Sequence, residues 1–253
     1  MTVAEIYQQL NQLIPPALSC EWDNDGLMCC PDGGREARRV LVTLDVTEGA
    51  VRHAIENDYD LIVAHHPMIF KGLKAIHEEN YIAAKAIDLI RAGVSVMSFH
   101  TRLDAVTGGV NDCLALLLDL EHPVPFGDEG IGRIGTLPEA VSAEDFARKV
   151  KSVLQAPYVN LGNASRPVWR VAVLGGGGSD DVAAAQAAGA DTYVTGELKY
   201  HQLCDAPENG MNLIEAGHFY TEHPITGVLV HLLKSLDATL ICDVYYSNTV
   251  TAI

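Results

Sequence analysis

The sequence predicts an α/β fold: two similar βα lobes with largely parallel or mixed sheets flanked by helices, and a metal site between the lobes. Three observations carry that expectation. Apolar strand-like runs alternate with helical stretches, the pattern of parallel βαβ units. The second half of the chain repeats the plan of the first at an offset of 131 residues. The histidines and acids with chemical interest fall just after the strand-like runs, where open α/β sheets receive ligands.

In chain order, residues 2–14 have a helical rhythm that stops at Pro15-Pro16. Glu21-Trp22-Asp23-Asn24-Asp25-Gly26-Leu27 is a polar turn after an aromatic. It fits either a packed Trp beside a loop or a loop whose acids and amide order neighbouring groups. Residues 40–44 read as a strand, and Asp45 or Thr47 caps the helix that follows. Residues 60–64 are an apolar run that ends in His65-His66-Pro67, and Pro67 has no N–H to continue a ladder. A helix over 80–91 leads to Gly93. A strand over 94–99 ends in His100-Thr101-Arg102-Leu103-Asp104. Gly108-Gly109 precede a helix over 110–118. Ser142 caps a helix after a strand at 131–137. The Pro, Gly and acid-containing stretch 121–130 suggests a boundary. This gives a first lobe at 1–125 and a second at 126–253, with the C-terminal segment able to pack back on the first.

The repeat is specific. Setting Val40 on Val171 sets Asp60 on Asp191 without a gap, and His65-His66 then meet Gly196-Glu197. A strand near 211–214 ends in Gly217-His218-Phe219-Tyr220-Thr221-Glu222. Thus His100-x-x-x-Asp104 in one half faces His218-x-x-x-Glu222 in the other. Two related lobes with a site between them account for this, as does chance likeness of two βαβ units.

The 253 residues carry a formal net charge of −16, with 48% hydrophobic and 20% charged residues. That balance supports a packed core. The acidity, with no Lys or Arg run, argues against broad nucleic-acid binding. No apolar run is long enough for a membrane span, and residues 1–14 lack a signal-peptide pattern. Six scattered cysteines without a C-x-x-C pair read as reduced thiols of a cytoplasmic protein. Gly175-Gly176-Gly177-Gly178-Ser179 completes neither a dinucleotide nor a P-loop pattern and reads as a tight turn.

Adjacent strand residues point to opposite faces, so His65 and His66 can share a site only where the strand gives way to a loop. They also fit one buried, hydrogen-bonded histidine beside one surface histidine. With Asp104, His218 and Glu222 they form a set of three imidazoles and two carboxylates. Such a set can hold two divalent ions such as Zn, Mn, Fe or Ni when a carboxylate bridges them. The ligand charge of −2 leaves room for water or an anionic substrate against the +4 of two divalent ions. His100, Glu197 and His201 are candidates for proton transfer or for orienting the ligands, or are ordinary strand-end residues. His223 is ambiguous.

Four motifs, spread over nearly the whole chain and in order, resemble the GTP cyclohydrolase I type 2-like family, also called Nif-three-like dinuclear metal-centre hexameric proteins. They are Ala64-His65-His66-Pro67 through Gly72; His100 through Ala105 with Gly108 through Asp112; Thr195 through His201; and Gly217-His218 through Glu222. Trp22-Asp23-Asn24 and Gly26-Leu27 resemble that family's early motif. The resemblance implies a two-lobe subunit, a ring-shaped homohexamer and a two-metal site on His65, His66, Asp104, His218 and Glu222, with Glu222 as the bridge. Arg102 and Glu197 depart from the family's usual Asn and Asp, and Arg102 is positioned to alter which anion enters. The function expected is metal-dependent hydrolysis of a small, anionic molecule, with a nucleotide as one candidate. The alternative is a non-catalytic metal-binding ring that stores or delivers ions or scaffolds a partner protein.

Overall fold

The computed structural model describes residues 1–127 and 129–252. Two compact units form: Met1–Leu103 with Ile225–Thr251, and a second built on Asp104–Pro224. The division falls earlier than the expected 125/126. Val110–Leu117 (α5) and Glu121–Phe126 (β5) pack on the second sheet, whereas residues after 224 return to the first. The stretch 121–130, read as a boundary, instead holds β5, because its backbone pairs with the strand after it, a contact that Pro, Gly and acid content does not reveal.

The first unit begins with α1 (Val3–Leu13), whose Thr2 and Glu5 form a reciprocal capping box. Its sheet has the order β1 (Gly26–Cys29), β4 (Ser95–Ser98), β3 (Leu61–Ala64), β2 (Arg39–Thr43), β11 (Ile241–Tyr245). Every neighbouring pair is parallel except β1 with β4. Every residue of β3 and β4 is buried, as expected of central parallel strands covered on both faces. The crossovers are α2 (Glu48–Glu56), capped by Thr47, and α3 (Tyr81–Ala92), capped by Asn80 and closed by Gly93 in the left-handed region. Ile225–Leu236 (α10) leads back to β11. The short helix α4 (Thr101–Ala105) follows β4.

The second unit has a six-stranded mixed sheet. Its order is β5, β6 (Gly132–Val141), β8 (Val168–Leu174), β9 (Thr192–Thr195), β10 (Asn212–Glu215), β7 (Asn160–Gly162). β8, β9 and β10 are parallel; β5, β6 and β7 add antiparallel pairs at the edges. Helix α6 (Ala143–Val153), capped by Ser142, puts Phe146 and Val150 into the core with Val171, Val194 and Ile214. Val182–Ala187 (α7), Tyr200–Asn209 (α8) and His218–Glu222 (α9) complete the unit. Among the described residues, no helix is long and apolar enough to cross a membrane.

The repeat seen in the sequence is a repeat of register. β2 pairs with β3 through Val40↔Leu61, and β8 pairs with β9 through Val171↔Thr192; both partners shift by the same 131 residues. The repeat includes one polar device. Asp60 accepts the backbone N–H groups of Arg38 (2.8 Å) and Arg39 (3.1 Å). Asp191 accepts those of Trp169 (3.0 Å) and Arg170 (2.7 Å). Each carboxylate thereby satisfies N–H groups at the start of the neighbouring strand and fixes its stagger.

The third strands break the offset. Phe99 N–H bonds the Ala64 carbonyl and Ala216 N–H bonds the Thr195 carbonyl, both at 2.9 Å. That register sets Gly217 against His100, and His218 against Thr101. The two His-x-x-x-acid motifs share a spacing but sit one residue apart in the two halves.

Burial pulls the Asp60 carboxyl up, but the two backbone N–H bonds and the Arg35 guanidinium outweigh it and hold the group below its usual range. A carboxyl that ionises more readily folded than unfolded stabilises the fold above its unfolded value, about pH 4. That contribution is lost as pH falls through the lower folded value. Asp60→Asn should therefore lower stability at pH 7 by about 1–3 kcal/mol. It should also flatten the acid limb of the stability profile, read by urea unfolding between pH 7 and pH 3.

Candidate metal centre

The β3 strand ends as the sequence expects. His65 N–H and His66 N–H still bond the carbonyls of Thr43 (3.3 Å) and Leu44 (2.9 Å), and Pro67 then turns the chain away. His65 is fully buried and His66 half-buried. Their rings lie 4.8 Å apart, so the strand end does let neighbours share one site. His100, after β4, brings its ring to 5.3 Å from His65 and 5.6 Å from His66. One ligand atom from each of these three histidines lies within 4.8 Å of the others, close enough to hold an ion together. His100 thus joins the His-His pair directly.

The rings are oriented by their Nδ1 atoms. His65 Nδ1 meets the Phe99 carbonyl at 2.9 Å; a carbonyl only accepts, so this nitrogen carries the proton. His66 Nδ1 meets Asp45 Oδ1 at 2.7 Å, and His100 Nδ1 meets Asp23 Oδ1 at 2.9 Å. Burial raises the Asp23 carboxyl, but the bonds from His100 and from Thr101 more than reverse this and hold it well below the carboxylate range. Asp23 is therefore an anion against an Nδ1–H. With Nδ1 committed to a hydrogen-bond acceptor, Nε2 keeps the lone pair that a metal needs.

The second unit shows the same device. His218 opens α9, and its Nδ1 meets Glu197 Oε1 at 2.8 Å. Its Nε2 lies 3.1 Å from Glu222 Oε2, one helical turn on. Glu222 is 4% exposed, so this is a buried carboxylate facing an imidazole. Two glycines make room for the pair. Gly176 has φ +68°, and a Cβ there would sit 2.1 Å from Glu222 Oε1 and 3.1 Å from His218 Nε2. A Cβ on Gly196 would come within 2.7 Å of the His218 Cα. The glycine run is thus a tight turn, and it also gives close access to the Glu222 carboxylate. Gly196 stands where the first half has His65, which explains why only one half carries the His-His pair.

Each unit carries donors of the kind a divalent transition metal takes: His65, His66 and His100, tied at Nδ1, in the first, and His218 with the shielded carboxylates Asp104, at 9% exposure, and Glu222 in the second. Nitrogen and oxygen ligands of this kind suit Zn, Mn, Fe or Ni.

Other expectations divide. Glu197 orients His218, the role expected of an orienting group. His201 stands exposed on α8, and no metal-capable group among the described residues includes it. His223 stacks on Phe219 at 4.7 Å, and burial pushes its pKa down, so it is a packed ring. Arg102 does not face an incoming anion. It is 1% exposed and bonds Asp25 (2.9 Å), Asn11 (2.7 Å) and the Ile14 carbonyl (3.1 Å), pinning α1 to the loop at 19–25. That loop orders its neighbours: Asp25 accepts from Ser19 and His100 N–H, and the Asn24 amide donates to the Ile69 carbonyl. Its Trp22 is 61% exposed and forms no part of the core. Asp45, read as one of two possible helix caps, instead orients His66, leaving the cap to Thr47.

The Duf34/NIF3 (NGG1p interacting factor 3) family model matches residues 1–251. The chain belongs to this family. It is 30% identical to a Clostridium perfringens protein named "GTP cyclohydrolase 1 type 2 homolog", over 97% of this chain and 95% of that one. A Nostoc protein of the same name is 33% identical over 94% and 93%. A Bacillus cereus NIF3-related protein shares the fold with TM-score 0.88 at 24% identity, over 100% and 99% of the two chains. Reduced HcgD from Methanocaldococcus jannaschii matches with TM-score 0.84 at 27% identity, over 96% and 97%. This NIF3-family chain therefore keeps the family's fold along its whole length.

Two outcomes test the geometry. In metal-stripped protein above pH 7.5, nitrogen-detected NMR should find His65, His66 and His100 with the proton on Nδ1; an Nε2–H tautomer would contradict the arrangement. Gly176→Ala should drive a methyl against Glu222 and weaken metal binding by about 10–100-fold, read by competition with a chelating dye, while far-UV circular dichroism stays at wild type.

Proposed function

We propose that this NIF3-family protein is a dinuclear-metal-dependent hydrolase of a small molecule. The observation that carries the reading is the Nδ1 anchoring of four imidazoles beside shielded carboxylates. An ordinary surface histidine has no need of a fixed tautomer, and a metal ligand does. In this reading His65, His66, Asp104, His218 and Glu222 would hold two divalent ions. Two such ions would supply a nucleophilic water at neutral pH and charge stabilisation for a developing oxyanion.

The chain's own groups have separate tasks. Asp45, Glu197 and the Phe99 carbonyl keep the imidazoles in the ligating tautomer. His100, held by Asp23 through Nδ1, is left out of this ligand set, and in this reading its Nε2 would take up and return a proton instead of binding an ion. We further propose that the subunit assembles as a homohexamer and works in the cytoplasm, in keeping with six cysteines of which none is in a disulfide. The cyclohydrolase name of the relatives makes GTP one substrate to test. Ring opening would then need water addition at the purine imidazole, with proton transfer by His100.

Metal content by plasma mass spectrometry should be near two per subunit in wild type and fall sharply in Glu222→Ala and His65→Ala. No metal in reconstituted wild type would end the proposal. GTP is tested as one candidate: if it is the substrate, the metal-loaded enzyme releases formate at a rate lost in His65→Ala. Equal rates in both would remove GTP, and full metal content without turnover of any screened small molecule would favour the metal-binding scaffold. Light scattering should give six times the 27.2 kDa subunit mass.

A further inference from the structure

A groove of about 880 Å³ opens in the first unit between α2, α3 and the loop after His66. His66 lies in its wall, so the groove leads to one of the proposed metal ligands. Its apolar surface comes from Val51, Ile55, Met68, Phe70 and Ile82. Phe70 stands edge-on to the exposed Trp22 with centroids 6.2 Å apart, which extends the aromatic surface. The volume suits a small organic molecule.

The charge of the lining is lopsided. Asp45, Glu48, Glu56, Glu78, Glu79 and Asp88 line the groove, against Arg52 and Lys85. Both bases are already engaged by acceptors of the chain, and the acids outnumber them six to two. Arg52 is tied to Glu48 at 2.7 Å. Lys85 Nζ donates to the Val46 carbonyl at 2.5 Å, beside Asp45. Glu56, Glu78 and Glu79 are exposed and set the field at the rim. A nucleoside triphosphate or any other polyanion would enter against that field. A cation on an apolar stem meets carboxylates at the rim, hydrocarbon along the walls and an aromatic ring that favours positive charge.

We propose that this groove binds the amine-bearing tail of the substrate, a small organic cation with an apolar or aromatic stem. The assignment rests on the metal-centre reading of His66 only in calling the ligand a substrate. The groove and its charge stand without it. The hydrolysed bond would lie at the His66 end of the stem and the ammonium at the Glu78–Glu79 end.

Metal-loaded protein is titrated calorimetrically with phenethylamine and, separately, with 3-phenylpropionate, a carboxylate of similar size. The amine should bind about tenfold or more tightly than the carboxylate, and raised salt should narrow the gap. The double variant Glu78→Gln/Glu79→Gln should weaken amine binding at least about fivefold while the metal content stays at wild type. Ala84→Trp, which fills the groove and leaves every carboxylate in place, should abolish binding of the amine. Equal or preferential binding of the carboxylate would overturn the proposal, as would an amine affinity untouched by both variants. Repeating the titration on chelator-stripped protein separates the two readings. Amine selectivity in a protein that takes up no metal leaves the groove standing and removes the metal centre. Full metal content without amine selectivity removes the groove alone.

Discussion

The bond from each imidazole Nδ1 to a fixed oxygen is the constraint on which the site depends. A histidine offers a metal one nitrogen only after the other has been settled. Here the settling groups are of two kinds. His65, the most buried, uses a backbone carbonyl, which needs no charge in a dry place. His66, His100 and His218, more exposed, use the carboxylates Asp45, Asp23 and Glu197. The choice follows the cost of burying an ion: a carbonyl is the cheaper acceptor deep in a sheet, whereas a carboxylate retains some hydration nearer the surface. Phe99, Asp45 and Glu197 each follow a strand within two residues, so those ring orientations are inherited from strand register, whereas Asp23 sits on the loop at 19–25 that Arg102 braces.

The two units show how one βαβ plan takes on different chemistry. Asp60 and Asp191 clamp equivalent strand starts, and the parallel pairings agree residue for residue. Beyond the strand ends the halves diverge. The first places two imidazoles where the second has Gly196 and Glu197. The second uses the space to bring Gly176 and Gly196 against Glu222 and His218. The shared framework is a matter of backbone hydrogen bonds, which tolerate any side chain of suitable size. The divergence is confined to loops, where side chains are free to change. Arg102 marks the limit of that freedom. It is a buried cation with Asp25 as counter-ion, three hydrogen-bond partners and the Phe99 ring beneath it, so it works as a brace for the loop that carries Asp23.

Much of this was legible in the residue order. The alternation of apolar runs and helical stretches placed the central parallel strands, and Thr47 and Ser142, read as candidate caps, stand where helices start. The repeat at 131 was visible because register conserves spacing. The His-His-Pro ending pointed to a shared site because alternation of side chains fails only at a strand end. All these are local or periodic signals. Asp45 shows where such signals stop: an Asp before a helix reads as a cap, and its partner His66 lies 21 positions away. Asp23 and His100 are separated by 77. No spacing rule joins such pairs.

The sequence by itself determined the fold class, the family motifs and the donor types, since these follow from periodicity and from which atoms a side chain carries. Tertiary structure decided which histidine nitrogen faces the site, that His100 joins the His-His pair, that His201 stays outside, and that Arg102 turns inward. It also decided that residues after 224 return to the first sheet and that acid side chains from α2, α3 and the loop between β3 and α3 surround one groove. The reason is the same in each case. Orientation, burial and charge environment depend on groups brought together across long separations in the chain, and only the folded backbone sets those distances.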